Sequence, residues 1–235
     1  MTDETDLPGL SRVFLAAVRR GDDAAGARRR LADADEAALA ALETDAATAF
    51  WLNVYNAAVQ FDLERDPSLY DRKRRFFGAA RHEVAGTSLS LDDVEHGILR
   101  SSKWKYGLGY LPRPFPSDFE RRHRLPEVDP RIHFALNCGA ESCPAIAAYT
   151  AGALDDKLDA STRSFLEQSC TYDAATDVLR VSRLFFYYRG DFGGRSGIYA
   201  FLERYGVVED GARPSVRYEP YDWTRHTGKY REPTA

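Results

Sequence analysis

Residues 45–63 read DAATAFWLNVYNAAVQFDL, and this stretch decides the fold. It holds neither Gly nor Pro, and apolar side chains cover most of the circumference that a 3.6-residue period generates. A helix that is apolar nearly all round packs inside a protein, with other elements on every side. Asn53, Asn56 and Gln60 break the pattern. At i, i+3 and i+7 they share one side of the helix. A buried amide without a partner costs on the order of 1–3 kcal/mol, so the stripe must be hydrogen-bonded. Two roles meet that need: a structural network that pins the helix to a loop, or a site lined by Asn53 or Asn56.

Upstream, Leu10 to Leu42 carries apolar residues at helical spacing with a break near Gly21–Asp23, and reads as a packing layer. Downstream, HEVAG (82–86) reads as a short strand and turn. Ser90 then fits a helix N-cap with Asp93 as its capping-box partner. Leu91, Val94, Ile98 and Ser102 mark the inward face of that helix. Glu95 lies beside Val94, where an isolated carboxylate is expensive to bury. It must be paired, hydrogen-bonded or shifted in pKa. His96 sits at the edge of the face, as a structural imidazole or a proton-transfer group. KYGLGYLPRPFPSDFERRHRLPEVDP (105–130) reads as a long irregular connection of the kind that covers sites, with His123 solvated between arginines.

RIHFALNCGAESCPAI (131–146) carries the chemistry. Ile132 to Cys138 reads as a strand whose alternation puts Ile132, Phe134, Leu136 and Cys138 on one face and His133, Ala135 and Asn137 on the other. Pro144 fits the first turn of a helix. Cys143 would then sit at a helix N-terminus, where exposed N–H groups stabilise a thiolate. A thiolate, an imidazole and a carboxylate are the parts of a thiol nucleophile site. The alternatives are packed, unreactive thiols; zinc held by Cys138, Cys143, His133 and Glu95 or His96, with the second ligand pair missing from the sequence; and a transient Cys138–Cys143 disulfide.

Residues 149–168 read as a helix with Leu154, Leu158 and Phe165 inward, followed by Cys170, to which no role attaches. A hairpin, an aromatic run in which Tyr187 and Tyr188 are core or pocket residues, a short helix from Ile198 and a terminal strand with an aromatic latch (215–226) complete the chain. The segment 227–235 reads as a frayed tail.

The 235 residues are 44% hydrophobic, enough for one domain with a sizeable core. A net charge of -4 gives no general pull toward nucleic acid or anionic lipid. No run approaches about 18 apolar residues, the acidic opening MTDETDLPGL is unlike a secretory signal, and three cysteines argue against a disulfide framework. The expectation is a soluble cytoplasmic protein with no cofactor and no resident metal. Its substrate would be a small molecule or peptide, without nucleic-acid or membrane partners, and its oligomeric state stays open. Residues 1–44 form an N-terminal helical part of the same domain, and residues 45–226 form its core.

Five ordered blocks are similar to a known family: AFWLNVYNAAV from Ala49, SLDDVEHGILR from Ser90, DPRIHFALNCGAESCPAI from Asp129, SRLFFYYRGDF from Ser182 and YDW from Tyr221. The chain resembles the domain of unknown function 547 family. The resemblance implies that Glu95, His96, His133, Cys138 and Cys143 are hallmark positions. Gln60 stands where relatives often carry a nearby His, and His226 where they often carry Asn. The set is similar to a papain-type or transglutaminase-type thiol site, with the histidines before Cys143, so that a circularly permuted version is implied.

The expected fold is α+β, a helix-rich single domain with a small antiparallel sheet. The expected function is a thiol-dependent hydrolase or acyl transferase for amide or thioester bonds. Cys143 would attack, His133 (or His96) would take the proton and Glu95 would orient the imidazole. Asn137, Asn53 and Asn56 would contact substrate. The rival expectation is a non-catalytic binding or scaffold module in which the Cys/His/Glu set is a buried structural network.

Overall fold

A computed structural model describes residues 6–231 of the chain. Three helices, α1 (Leu7–Arg20), α2 (Ala25–Ala32) and α3 (Glu36–Ala40), lead into the long α4 (Thr44–Arg65). Gly21, with φ +70°, ends α1 in the left-handed conformation where the sequence breaks. Every residue of α4 from Thr48 to Phe61 is buried, as its all-round apolar character requires. A 3-10 turn (Pro67–Arg72) and α5 (Lys73–Gly78) follow. The hairpin β1 (His82–Val84) and β2 (Thr87–Leu89) then turns through Ala85 and Gly86.

The capping box forms as expected: Ser90 Oγ accepts from Asp93 N–H at 3.1 Å, and Ser90 N–H donates to Asp93 Oδ2 at 2.9 Å. The helix behind it is wide. Over Asp93–Leu99 it is a π-helix, in which Arg100 N–H reaches back five residues to the Glu95 carbonyl at 2.8 Å. Such widened turns recur at functional sites. Here the widening turns both Glu95 and His96 toward one cleft.

The long connection contains α6 (Asp118–His123). His123, expected in solvent, is 7% exposed, with its ring against Phe119 and a nitrogen 3.3 Å from Glu36. Beyond it the strand expected over Ile132–Cys138 is absent. Asp129 caps a 3-10 turn (Pro130–Phe134), and irregular chain follows. Pro130 fixes the first φ of that turn. Ile132 enters the core around α4, and Phe134 enters a second core of Phe165, Phe185, Phe192 and Phe201. His133, between them, faces the space between the two cores.

α7 (Leu154–Ser169) leads to β3 (Thr171–Asp173) and β4 (Val178–Ser182), then α8 (Leu184–Tyr187), α9 (Gly194–Arg204) and β5 (Ser215–Glu219). The fold is α+β and helix-rich. Its larger sheet is mixed where an antiparallel one was expected: β3 pairs antiparallel to β4, but β5 runs parallel to β4. A parallel pair needs a crossover, and α8 and α9 supply it. Ser182 lies opposite Glu219, so the residues that follow both strands emerge at one edge.

The tail is not frayed as far as Arg231. Gly228 N–H donates to Gln60 Oε1 at 2.8 Å, and Ile146 exchanges backbone bonds with Lys229 and Arg231. The rest of the expected tail, and Met1 to Thr5, lie outside the described residues. Among the described residues no helix is long and apolar enough to cross a membrane.

The amide stripe of α4 takes the structural role. Asn53 donates to Tyr149 O at 2.9 Å and accepts from Tyr149 N–H at 2.9 Å. Asn56 donates to Ala135 O at 2.9 Å and accepts from Asn137 N–H at 2.8 Å. Replacing Asn56 with Leu orphans two buried backbone groups at about 1–3 kcal/mol each. Calorimetry should show a lower melting midpoint for Asn56→Leu, by about 2–4 °C for each kcal/mol lost.

Candidate functional site

A cleft of about 690 Å³ opens between the two cores. Glu95, His96, His133 and Cys138 all line it, as do Tyr187 and Tyr188. Asn53, Asn56 and Asn137 do not. All three are wholly buried, and their amides are spent on backbone groups, which removes them from substrate contact. Asn137 holds the cysteine loop at both ends, accepting from Gly139 N–H at 2.9 Å and donating to Pro144 O at 2.8 Å.

The partner of His133 is Asp191, which the sequence did not single out. His133 Nε2 is 2.9 Å from Asp191 Oδ2. A carboxylate only accepts, so Nε2 carries the proton and neutral His133 leaves Nδ1 bare. Nδ1 has no hydrogen-bond partner among the described residues. The ring stacks on Tyr188, with centroids 3.8 Å apart and planes 17° apart. Arg100 Nε donates to the same Asp191 oxygen at 2.6 Å, while Arg100 Nη1 donates to His96 Nδ1 at 2.8 Å. Neutral His96 therefore carries its proton on Nε2. Gly109, at φ +81°, backs against this carboxylate. A Cβ there would lie 2.6 Å from Asp191 N and Oδ1, so only Gly lets the covering connection seat.

Glu95 does not orient His133, contrary to the expectation. Its Oε1 accepts from Tyr188 OH at 2.8 Å and its Oε2 from Tyr55 OH at 3.0 Å. Burial opposes its charge, but His96, Arg100 and the Tyr188 hydrogen bond outweigh burial and hold Glu95 below the usual carboxylate range. It is a fixed anion in the cleft wall. Burial pushes both His96 and His133 below the ordinary imidazole value near 6.5, against the pull of Glu95 and Asp191 respectively. Asp191 is itself held low, where His133 and Arg100 overcome its burial.

The two sulfurs reverse the expected exposures. Cys138 is partly exposed and lines the cleft, whereas Cys143 is 1% exposed. No helix follows Cys143: Glu141 and Ile146 pair instead with the returning segment at Thr224 and Lys229. The Sγ atoms stand 2.9 Å apart. Cys143 Sγ also accepts from Cys138 N–H at 3.1 Å and lies 3.2 Å from Tyr221 OH. Burial raises Cys143, but the Cys138 thiol, Tyr221 and nearby backbone N–H groups prevail and hold it below the usual thiol range. The hydrogen bond to Cys143 and then burial push Cys138 well up. Of the two sulfurs, Cys143 is therefore the one that gives up its proton more readily.

The zinc alternative gains no ligand set: among the described residues no three His, Cys, Asp or Glu side chains are placed to hold a metal ion.

A family profile described as "Protein of unknown function, DUF547" matches residues 39–166, more than half of the chain. The chain belongs to the DUF547 family. The match holds Glu95, His96, His133, Cys138 and Cys143 and stops before Asp191 and Tyr221. No curated protein and no solved structure matches the chain. The signals for the missed cleft residues were local. Arg100 lies four residues after His96, and Asp191 lies in the FFYYRGDF block three residues after Tyr188, itself read as a core or pocket residue, but nothing in sequence joins them to His133.

In the unfolded chain each imidazole takes a proton near pH 6.5, whereas folded His96 and His133 take theirs only at lower pH. Between those values the unfolded state binds more protons. Stability is therefore full above about pH 6.5 and falls below it, by at most about 1.4 kcal/mol per pH unit for each group. Glu95 and Asp191, held below their ordinary values, stay charged down to about pH 5 and contribute no slope above it. Chemical denaturation between pH 7.5 and 5 should show this fall, and His133→Gln should make it shallower.

Proposed function

We propose that the cleft is the active site of a thiol-dependent hydrolase or acyl transferase acting on amide or thioester bonds. One observation carries the reading: Cys138 and an imidazole, His133, whose Nε2 is held by Asp191, line the same cleft. Cys138 Sγ attacks the substrate carbonyl carbon. Its proton passes to the Cys143 sulfur 2.9 Å away. The C–N or C–S bond breaks, and the leaving group takes that proton from Cys143. The acyl group is then on Cys138. His133 Nδ1 removes a proton from water, or from an acceptor nucleophile, which attacks the thioester carbonyl; the C–S bond breaks and the departing Cys138 sulfur takes that proton back from His133. Asp191 stabilises the imidazolium formed in that step.

The apolar wall from Phe77, Leu136, Leu184 and Phe186 suits an acyl group with hydrocarbon or aromatic surface. Three free thiols are in keeping with a reducing cytoplasm as the place of action.

A second reading is a binding or scaffold module, favoured by the complete burial of the Arg100–Asp191 pair. One experiment separates them. The reduced protein is incubated with aryl and alkyl thioesters and the adducts are mapped by mass spectrometry. The expected result is a covalent acyl group on Cys138, absent from Cys138→Ala with its melting midpoint kept. Asp191→Asn should slow deacylation by about 10²–10⁴-fold, the usual worth of a positioned base. Unacylated Cys138 in a folded protein would leave the scaffold reading.

A further inference from the structure

Acyl transfer needs one sulfur, and this cleft has two. Cys138 Sγ and Cys143 Sγ are unbonded at 2.9 Å. A disulfide bond is about 2.05 Å long, so the pair stands within about 1 Å of bonding. Three features favour that last approach. The intervening turn is short and closed by Cys143 N–H on the Ala140 carbonyl at 3.0 Å. Gly139, at φ +81°, takes the backbone conformation that other residues resist. Asn137 holds both flanks of the turn, so the sulfurs face each other before any bond forms.

The two sulfurs also differ in access. Cys138 lines the large cleft, while Cys143 is 1% exposed behind it. That is the division of labour thiol–disulfide exchange requires: one sulfur that meets an outside molecule and a second that resolves the mixed disulfide.

We infer that Cys138 and Cys143 form a two-electron dithiol–disulfide centre that exchanges with small organic disulfides entering the cleft. The Cys138 proton moves to Cys143, and Cys138 Sγ attacks one sulfur of the small disulfide. That S–S bond breaks, one thiolate leaves with the proton from Cys143, and a mixed disulfide remains on Cys138. The Cys143 thiolate then attacks Cys138 Sγ. The mixed bond breaks and the second thiolate leaves, taking a proton from solvent. The protein pair loses two electrons and the proton that Cys138 carried, solvent supplies the second proton, and the small disulfide gains all of them. Excess small thiol reverses both steps. The inference uses the cleft of the proposed acyl chemistry but does not rest on it. Where both hold, oxidation removes the attacking sulfur and shuts acyl transfer off.

The test is equilibration of the folded full chain with mixtures of oxidised and reduced dithiothreitol, acid quenching, and alkylation under denaturing conditions. Cys138 and Cys143 lie on one tryptic peptide, bounded by Arg131 and Lys157. The expected result is that this peptide loses both alkylation sites together and becomes lighter by two hydrogens. Reduced dithiothreitol should restore both sites, with Cys170 alkylated throughout. With oxidised glutathione, Cys143→Ser should retain a glutathione adduct on Cys138, because nothing resolves it. Full alkylation of the wild-type pair at every ratio would overturn the inference, as would a disulfide to Cys170. A pair that closes in a protein thioesters never acylate keeps the redox centre and removes the acyl reading. Acylation of a pair that never closes does the reverse.

Discussion

The structure depends on the hydrogen bonds that the α4 amides make to backbone with no regular structure of its own. Chain outside helices and sheets must still pair its N–H and C=O groups when buried. Asn53, Asn56 and Gln60 do this for Tyr149, Ala135, Asn137 and Gly228. The irregular segment from Ala135 to Tyr149 is thereby held as firmly as a strand, without a strand's alternation. That freedom lets Asn137 brace the cysteine loop while Cys138 turns to the cleft and Cys143 turns away.

The rest of the site is assembled by topology. β4 and β5 run parallel and end together, so Tyr188 and Asp191, which follow one, meet Tyr221, which follows the other, at the same edge. The π-helix brings Glu95 and His96 to that edge from the opposite side. Charge is then shared out by geometry. Arg100 joins His96 to Asp191, Asp191 fixes the proton of His133, and two tyrosines fix Glu95 apart from them. Glu95, two imidazoles and the Cys138 sulfur line the cleft, with Asp191 and Cys143 held behind them at 2.9 Å from His133 and Cys138.

What the sequence made legible was whatever its local pattern determines. The burial of α4 followed from its missing polar face, the Ser90–Asp93 box from its spacing, and the grouping of Glu95, His96 and His133 in one place from residue type and family blocks. The errors have physical causes. Ile132 and Phe134 look like one face of a strand because both are apolar, but they enter two different cores from a 3-10 turn. Pro144 suggests a helix start, but its neighbours find backbone partners in the returning tail. That tail looked frayed because its own residues are polar and its anchor, Gln60, is 168 positions away. Asp191 is 58 positions from His133, and no periodicity reaches so far.

Tyr221 has a consequence for how this chemistry comes into being. The hydroxyl that helps lower the Cys143 thiol pKa arrives from the end of the fold, 78 residues after the sulfur it serves. Contacts of such long range form late, since loop closure must be met before they stabilise anything. While the chain is being synthesised and folded, Cys143 is an ordinary thiol beside another ordinary thiol. The lowered thiol pKa of Cys143 is a property of the finished protein, absent from the intermediates that precede it.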